Sequence, residues 1–455
     1  MSDILSRATI SQLKRRVDGL DAATIYGASW DKGVSPLLKR TDASIGLIAR
    51  VGVDGLVPQN DFNNAAIYRD ITEVTDSLGN VFVRIPKFYI RKTDGVNLRT
   101  WQISKTQYPG FYLPWCFWDF TNSRELPYID IGKYKGNLEA GNKLGSKPNV
   151  YPVINQNIVT MRTYARANNV DGLKGYQQLD AHTYDMLTAL FYVEFATLHS
   201  QSIMQGYATG QYSATHVAVL TESAVNRIVL ANAFADTYRV GQHISCGTSL
   251  GGQQVFTSRQ ILSINVVDAS NKSLVFDGAT VNIATGNIVY NSVWKNGFSA
   301  GIAAKSGSII SNTDGRYPMV YRGLESLYGD MWQFVDGVNI NERQVWVTKN
   351  AEDYTSNVFA HPYEQLGYIN HNADGYITAM GYDPSRPWAE FPTVVGGSST
   401  TRYADYYYQA AGQRIAIVGG RWNYGAAAGL SYWYLSYSSS FASLRFGARL
   451  LKKPL

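Results

Sequence analysis

Residues 419–449 read GGRWNYGAAAGLSYWYLSYSSSFASLRFGAR. Between the Gly-Gly-x-Trp entry and the Gly-x-Arg exit, Arg421 and Arg445 are the only charged residues, and Tyr, Ser, Ala, Gly, Phe and Leu dominate. Tyr gives rigid, amphipathic contact area at a low entropy cost, and Ser and Gly give adaptable hydrogen bonding. A buried strand would favour Val, Ile and Leu over the run at 438–440. The composition therefore predicts a recognition surface, with an aromatic, glycine-rich β-core as the alternative.

The composition of the whole chain indicates a folded, β-rich protein. Its 455 residues suffice for two or three domains, and 45% of them are hydrophobic while 17% are charged. The 41 Gly and 32 Tyr predict many loops and an aromatic surface. The net charge is +6, but Lys and Arg are scattered, so nucleic-acid binding is not expected. Attraction to acidic glycans or anionic cell surfaces stays open.

The cysteines and the N-terminal sequence bear on where the protein works. Two cysteines, Cys116 and Cys246, cannot form a disulfide framework or a cysteine-ligated zinc site, and we expect both to be buried. The N-terminus lacks the pattern of a secretory signal, and no apolar stretch reaches membrane-spanning length. We therefore expect synthesis in the cytoplasm without membrane insertion, and release by lysis or as part of a particle.

Hydrophobic patterns divide the chain into several regions. Residues 1–24 fit an amphipathic helix for oligomerisation, attachment or packing, and residues 25–83 fit a small β-rich region. The clearest helix runs from His182 to about His199, where apolar residues lie almost all round. Residues 213–294 alternate in the manner of an inserted β-barrel or sandwich. The segments 206–211 and 294–297, which are rich in Gly and polar residues, are interpreted as linkers on either side of this inserted region.

Several motifs in a fixed order resemble one known family. They are Tyr321-Arg322-Gly323-Leu324-Glu325, the segment 329–337, Gly419-Gly420-Arg421-Trp422 and Gly447-Ala448-Arg449. Together they resemble the C-type-lectin-like fold of the formylglycine-generating-enzyme type. More narrowly, the chain is similar to the variable proteins of diversity-generating retroelements, which phages carry as tail-fibre receptor-binding proteins. The segments 85–89 and 175–180 also resemble phage tail proteins of this class.

The resemblance covers roughly residues 80–212 and 295–455 and implies a fold and a domain order. The implied fold class is α+β, with an N-terminal helix, a small β region and an inserted all-β domain. The C-type-lectin-like domain would consist of residues 84–212 and 295–455. Its variable ligand-binding segment would be 421–446.

In that family, miscopied adenines diversify chosen positions of this segment while neighbouring positions stay fixed. The positions that look fixed are Trp422, Gly425, Gly429, Tyr432, Trp433, Leu435 and Gly447. The candidate ligand-binding residues are Tyr424, Ala427, Ser431, Tyr434, Ser436, Tyr437, Phe441, Ser443 and Arg445. These candidates should project from one face. The run 403–408, Tyr-Ala-Asp-Tyr-Tyr-Tyr, either adds aromatic area beside them or forms a tyrosine-rich core.

The sequence favours a protein without catalytic activity. Enzymes of the resembling family use cysteines in this C-terminal segment, and this chain has none after Cys246. Its six histidines are dispersed, and no His-Glu-x-x-His motif, Gly-x-Ser-x-Gly elbow or P-loop is present. The remaining alternative is a pair of glycosidase carboxylates. The pairs available are Glu194 with Asp185 and Asp330 with Asp336, although capping or buried hydrogen bonding is the expected role of Glu194.

No metal or other cofactor is expected, with one alternative. Asp330, Asp336 and Asn339 are predicted around a turn and could bind Ca²⁺ through their oxygens.

These observations predict a non-enzymatic adhesin, a receptor-binding protein at the tail tip of a phage or prophage virion. Its expected partners are a host-surface protein or glycan, other tail proteins, and further copies of itself, with a trimer favoured. The inserted region would be a second carbohydrate-binding module or a spacer. The alternative is a structural tail component that shares the fold and buries the Tyr- and Ser-rich segment in assembly contacts.

Overall fold

The protein is built mainly of β-strands. A computed structural model describes residues 23–51, 58–170, 172–301, 306–308 and 315–455. Strands make up 40% of the structure and helices 12%, so the predicted α+β class is wrong and the fold is β-rich. The reason is local, because most apolar residues occur in short runs bounded by Gly and turn residues, which suit paired strands. The helix predicted for residues 1–24 lies almost wholly outside the described residues.

The strands and helices are numbered here in chain order. Before residue 213 the strands are β1 (Ile25–Asp31), β2 (Lys39–Asp42), β3 (Ala49–Arg50), β4 (Gln59–Asn60), β5 (Thr72–Thr75), β6 (Val81–Pro86), β7 (Tyr89–Asp94), β8 (Leu98–Ser104), β9 (Trp118–Asp119), β10 (Arg124–Glu125), β11 (Tyr128–Gly132), β12 (Asn137–Glu139), β13 (Lys143–Gly145) and β14 (Tyr176–Gln178). Between residues 213 and 294 they are β15 (Glu222–Val225), β16 (Arg227–Ala231), β17 (His243–Ser249), β18 (Gly252–Val266), β19 (Asn271–Phe276), β20 (Val281–Ile283) and β21 (Ile288–Asn291). After residue 294 they are β22 (Gly307–Ser308), β23 (Met319–Tyr321), β24 (Leu324–Glu325), β25 (Trp332–Asn341), β26 (Gln344–Val347), β27 (Glu364–Ile369), β28 (Gly375–Met380), β29 (Pro392–Val395), β30 (Tyr406–Gln409), β31 (Gln413–Gly419), β32 (Gly429–Leu435), β33 (Phe446–Gly447) and β34 (Leu450–Lys452). The α-helices of the described residues are α1 (Ile158–Arg166), α2 (Ala181–Phe195) and α3 (Asn232–Ala235).

The largest sheet carries the C-terminal segment at its centre. Its strand order is β27-β26-β25-β31-β32-β30-β28-β29, and β33 pairs in parallel with β25. Strand β32 is antiparallel to β31 and parallel to β30, with Trp433 opposite both Val418 and Tyr407. Because both edges of β32 are hydrogen-bonded, its backbone is held firmly and its side chains alternate between the two faces of the sheet.

One of two smaller sheets connects the beginning and the end of the chain. The order β14-β34-β11-β6-β5 places the last strand between strands from the first half of the sequence, and β2-β1-β8-β7 forms a second sheet. Helix α2 contacts β1, β8 and β25, so it packs between the N-terminal strands and the largest sheet. The C-terminal segment is therefore mounted on a core that extends through both halves of the chain.

Helix α2 confirms the helix predicted from the sequence, although it ends at Phe195, four residues early. The Asp180 side chain caps it by accepting a hydrogen bond of 2.8 Å from the backbone N–H of Thr183. It stops at Ala196, which adopts a left-handed conformation with φ 52°. None of the helices in the described residues has the length and apolar character needed to cross a bilayer.

Residues 213–294 form sheets among themselves. Strands β16, β19, β18, β17 and β21 make one sheet, β15 and β20 make another, and they enclose a hydrophobic cluster of their own. The linker interpretation of both flanks is wrong. Tyr207 and Trp294 are buried, and their ring centroids lie 5.7 Å apart, so the two flanks pack together. Their Gly and polar neighbours suggested open loops, but these two large aromatic side chains anchor the flanks in the core.

The expected role of Glu194 in buried hydrogen bonding is confirmed. Its carboxylate accepts hydrogen bonds from Arg322 Nη2 at 2.6 Å, the Tyr321 hydroxyl at 3.0 Å and Asn60 Nδ2 at 2.6 Å. The Arg322 and Glu194 side chains are both inaccessible to solvent. A carboxylate neutralised by this network lacks the open position that a glycosidase acid or base needs. Cys116 and Cys246 are also buried, as expected.

Two buried histidines should make the fold sensitive to acid. Burial lowers the pKa of His182 to about 4 and that of His243 to about 3. Unfolded histidine titrates near 6.5, so below that pH the unfolded state binds more protons and stability is lost as pH falls towards the folded pKa. Between pH 7 and pH 5 we expect each histidine to remove about 2 kcal/mol from the free energy of unfolding.

Urea denaturation at several pH values would test this acid sensitivity. The variants His182→Gln and His243→Gln should each show a shallower pH dependence than the wild type. An unchanged slope in both variants would contradict the prediction.

Candidate ligand-binding surface

The candidate ligand-binding residues lie along β32 and the two loops that flank it. All but one of them are partly exposed: Tyr424, Ala427, Tyr434, Ser436, Tyr437, Phe441, Ser443 and Arg445. The exception is Ser431, which is 2% exposed and hydrogen-bonded to the hydroxyl of Tyr192. Its backbone N–H also donates to Asp405 at 2.6 Å. Ser431 therefore belongs to the interior and does not share the surface.

The positions predicted to stay fixed are mostly buried, in contrast to the candidate ligand-binding residues. Trp422, Gly429, Tyr432, Trp433, Leu435 and Gly447 are buried, and Gly425 is partly exposed in a short 3-10 turn. At the end of β32 and just beyond it, the partly exposed Tyr434 and Ser436 alternate with the buried Trp433 and Leu435. The segment therefore separates into side chains that face outward and side chains that pack or turn the chain.

Stacked rings form a continuous strip, which we call the aromatic row: Tyr376, Tyr406, Tyr408, Tyr434, Tyr437 and Phe441. The ring centroids of Tyr434 and Tyr437 are 4.8 Å apart with an interplanar angle of 13°, and those of Tyr437 and Phe441 are 4.2 Å apart. Tyr408 stacks on Tyr434 at 4.7 Å and meets Tyr406 at 4.7 Å. All six residues are partly exposed. The row thus presents ring surface across three neighbouring strands.

The sequence left open whether the run 403–408 adds aromatic surface or forms a tyrosine-rich core, and its tyrosines do both. Tyr403 and Tyr407 are buried, whereas Tyr406 and Tyr408 belong to the aromatic row. Alternation along β30 accounts for this split, because successive side chains of a strand point to opposite faces.

Trp332 supports the row from below. This fully buried ring lies 4.9 Å from Tyr424, 5.1 Å from Tyr434 and 6.1 Å from Tyr437, measured between centroids. Such edge-to-face and tilted contacts fix ring orientation and add about 0.5–1.5 kcal/mol each beyond the burial of area. The exposed rings are consequently held in place before any partner arrives.

The entry motif needs glycine for geometric reasons. Gly419 has φ +89°, and a Cβ there would lie 2.8 Å from the carbonyl oxygen of Leu327. Gly420 has φ +76°, and its Cβ would lie 2.5 Å from that of Ala428. Any other residue would meet both a backbone penalty and a clash. The two glycines therefore direct the chain from β31 into the loop that precedes β32.

Arg421 and Arg445 place two positive charges close together at one end of the surface. Arg421 is 6% exposed, and its guanidinium carbon is 4.8 Å from the ring centroids of Tyr212, Trp332 and Tyr424. Burial lowers the pKa of Arg421, and the positive charge of Arg445 lowers that pKa further. Charges of one sign are thus concentrated beside the aromatic row.

The calcium alternative is not supported by the geometry of its three residues. Asp330 is paired with Lys135, and Asn339 donates to backbone carbonyls. The Nε–H of Arg162 is shared between the two carboxylate oxygens of Asp336, each 3.0 Å away. The expected turn is also wrong, since residues 332–341 form the continuous strand β25. Within the described ranges no three His, Cys, Asp or Glu side chains are grouped as metal ligands.

One pocket of about 470 Å³ lies away from this surface and contains two carboxylates. Its lining includes Trp115, Asp353, His361, Glu364 and Arg386. A hydrogen bond from Arg386 lowers the pKa of Glu364, whereas a glycosidase acid needs a raised pKa. The pocket gives no specific support to the carboxylate-pair alternative.

Sequence reasoning missed two residues at this surface. Tyr376 extends the aromatic row, and the Tyr212 ring centroid lies 4.8 Å from the guanidinium carbon of Arg421, yet both residues are far from the C-terminal segment in sequence. No local signal in the sequence marks either one, because long-range pairing brings them there. In comparisons with known proteins, no family model and no curated protein matches this chain.

Proposed function

We propose that the protein is a non-enzymatic receptor-binding protein that recognises a ligand on a host cell surface with the aromatic row and its neighbouring Ser and Arg side chains. The observation that carries this proposal is the partial exposure of every candidate residue except Ser431. A buried β-core would place such aromatic rings in the interior. Here they pack against the core around the buried Trp332 and remain partly exposed.

The physical properties of the row suit recognition. Tyrosine rings offer apolar faces for stacking and hydroxyl groups for hydrogen bonding, and they lose little entropy on binding. Neighbouring strands fix the backbone of β32, so the rings are preorganised and the cost of ordering them on binding is small. The serines at 436 and 443 supply adaptable polar contacts beside the rings.

The resemblance to retroelement variable proteins suggests the biological setting. We infer a place at the tail tip of a phage or prophage particle, in a homo-oligomer for which a trimer is favoured, together with other tail proteins. Several copies on one particle would convert weak individual contacts into strong attachment, because the second and later contacts form at high effective concentration. Adenine-directed diversification would act on the outward-facing positions.

A binding assay on candidate host cells tests the proposal. The variant carries Tyr424→Ala, Tyr434→Ala, Tyr437→Ala and Phe441→Ala, and we expect it to lose binding by about 100-fold or more, since buried aromatic anchors dominate interface energy. Single variants Tyr434→Ser and Tyr437→Ser, which disturb the fold less, should each lose about 10-fold. Circular dichroism and thermal unfolding establish that each variant is folded.

A matched control replaces the same number of aromatic residues elsewhere. Tyr108, Phe120, Trp346 and Phe359 are partly exposed and do not belong to the aromatic row. Their replacement by Ala should leave cell binding unchanged. Unchanged binding by the folded Ser variants would instead overturn the proposal and favour a structural tail component or a binding site in residues 213–294.

A further inference from the structure

The guanidinium groups of Arg421 and Arg445 have no counter-charge. In the part of the chain that the structure describes, neither forms an ion pair. Arg421 has a hydrogen bond with the neutral Tyr424 hydroxyl, but its Nε and Nη1 atoms are buried without a partner. Arg445 donates from Nε only to the hydroxyl of Ser443, at 2.9 Å. Buried guanidinium donors normally have an acceptor, because leaving them unpaired costs several kcal/mol.

Both arginines share the same aromatic enclosure. Tyr212 and Trp332 lie 4.8 Å from the guanidinium carbon of Arg421 and 5.8 Å from that of Arg445. The negative faces of these rings attract a cation, but they cannot accept the directed hydrogen bonds of a guanidinium fork. Two like charges at one enclosure also repel each other. The arrangement is therefore incomplete until an anion joins it.

We propose that Arg421 and Arg445 form an anion-binding centre that takes the carboxylate or phosphate of an acidic saccharide on the host cell surface. The proposal rests on the proposed function, because it specifies the ligand of that same surface. Carboxylate and phosphate oxygens match the guanidinium fork and give charge-assisted hydrogen bonds. The partial exposure of Arg445 gives such a group a path to the enclosure.

The surroundings favour a saccharide over an acidic protein patch. Arg421 is only 6% exposed and lies 4.8 Å from the ring centroids of Tyr212 and Tyr424, so the ligand needs a small group that projects. An acidic sugar has one such group beside apolar C–H faces, and the aromatic row begins next to the centre to receive those faces. The net charge of +6 would also attract a polyanion before contact.

The inserted strands help to hold this centre. Tyr212 lies at the edge of residues 213–294, and its ring packs 5.5 Å from Tyr290 in β21 and 6.2 Å from Trp422. The turn between β17 and β18 also lies close, because a Cβ on Gly251 would clash with the Tyr212 hydroxyl. The insert thus supplies one wall of the binding surface.

The test compares one saccharide with and without its charge. Calorimetry would measure binding of a galacturonic acid oligomer, its methyl ester and a phosphorylated mannose oligomer. At least one acidic oligomer should bind about 10-fold or more tightly than the neutral ester, and added salt should weaken that binding. The two acidic probes distinguish a carboxylate ligand from a phosphate ligand. If neither acid binds more tightly than the ester, the proposal is overturned.

Matched variants assign the effect to the centre. Arg445→Gln is chosen because Arg445 is partly exposed and its removal should leave the fold intact, and it should abolish the preference for the acid. Arg414→Gln, a partly exposed arginine of β31 outside the enclosure, should keep that preference. Equal losses in both variants would show general charge attraction and would also overturn the assignment.

Cell binding separates the failure of this inference from that of the proposed function. If Arg445→Gln binds host cells as well as the wild type while the aromatic variants do not, the anion centre is wrong and the receptor-binding surface stands. If the aromatic variants also bind normally, the proposed function fails first. If Arg445-dependent binding survives periodate oxidation of the cell-surface sugars, the anion belongs to a protein, which contradicts the saccharide assignment.

Discussion

The variant Glu194→Ala will lose about 3–5 kcal/mol of unfolding free energy, because removal of one partner leaves a buried charge uncompensated. Arg322 donates to Glu194 through Nε at 3.0 Å and through Nη2 at 2.6 Å, and both side chains are inaccessible to solvent. The pair joins α2 to the turn after β23 and, through Asn60, to the N-terminal strands. Its loss should therefore weaken the core on which the largest sheet rests.

Urea denaturation measures this loss, and an exposed ion pair provides the control. Asp31 and Lys39 also form an ion pair, but both side chains are largely exposed. Asp31→Ala should cost at most about 1 kcal/mol, since solvent screens such pairs. If Glu194→Ala proved no more damaging than Asp31→Ala, the buried network would not have the role assigned to it.

The variant Arg449→Met should be destabilised by about 3–6 kcal/mol, because several buried acceptors lose their donor together. Arg449 is fully buried, and it donates to Gln333 Oε1 at 2.8 Å and to the carbonyls of Gly132 at 2.7 Å and Glu325 at 2.5 Å. Burial lowers the pKa of this guanidinium to about 10. Methionine fills similar space but donates no hydrogen bond.

Thermal and urea unfolding would test the Arg449 prediction. Lys143→Met, which removes a partly exposed cation from the short strand β13, should change stability little. A near-neutral Arg449→Met variant would show that the carbonyls find other donors, and would remove the structural explanation for the Gly-x-Arg exit motif. The expected loss of stability would show that the hydrogen bonds of Arg449 hold the last strands to the first half of the chain.

The candidate residues of this surface were implied by the family resemblance, and the composition of the segment supported them. Gly-Gly turns, alternating side chains and a Tyr- and Ser-rich segment are local properties, and the structure places Tyr434 and Ser436 outward as those properties predict. The prediction that Ser431 belongs to the ligand-binding surface is wrong, although the alternation of side chains along a strand indicates the interior. Residues 431, 433 and 435 share one face of a strand, and Trp433 and Leu435 were expected inside.

Other features depended on contacts that no local pattern reveals. The flanks at 206–211 and 294–297 contain Gly and polar residues typical of linkers, yet Tyr207 and Trp294 bury against each other. The class of the fold was wrong because one conspicuous helix and a family resemblance outweighed many short strand signals. The position of Tyr212 beside Arg421 could not be predicted, nor could the lack of partners for two Arg421 nitrogens. Both depend on contacts between segments that are far apart in sequence.

The hydrogen-bonded position of β32 between β31 and β30 limits the ways in which this surface can evolve. Replacing Tyr434 or Ser436 alters what is presented and leaves the inward residues Trp433 and Leu435 in register. Inserting or deleting a single residue within the strand would move every later side chain to the opposite face, because the repeat of a strand is two residues. Substitutions at constant length therefore keep the inward residues in place, whereas an insertion or deletion within the strand would displace them unless a bulge absorbs it.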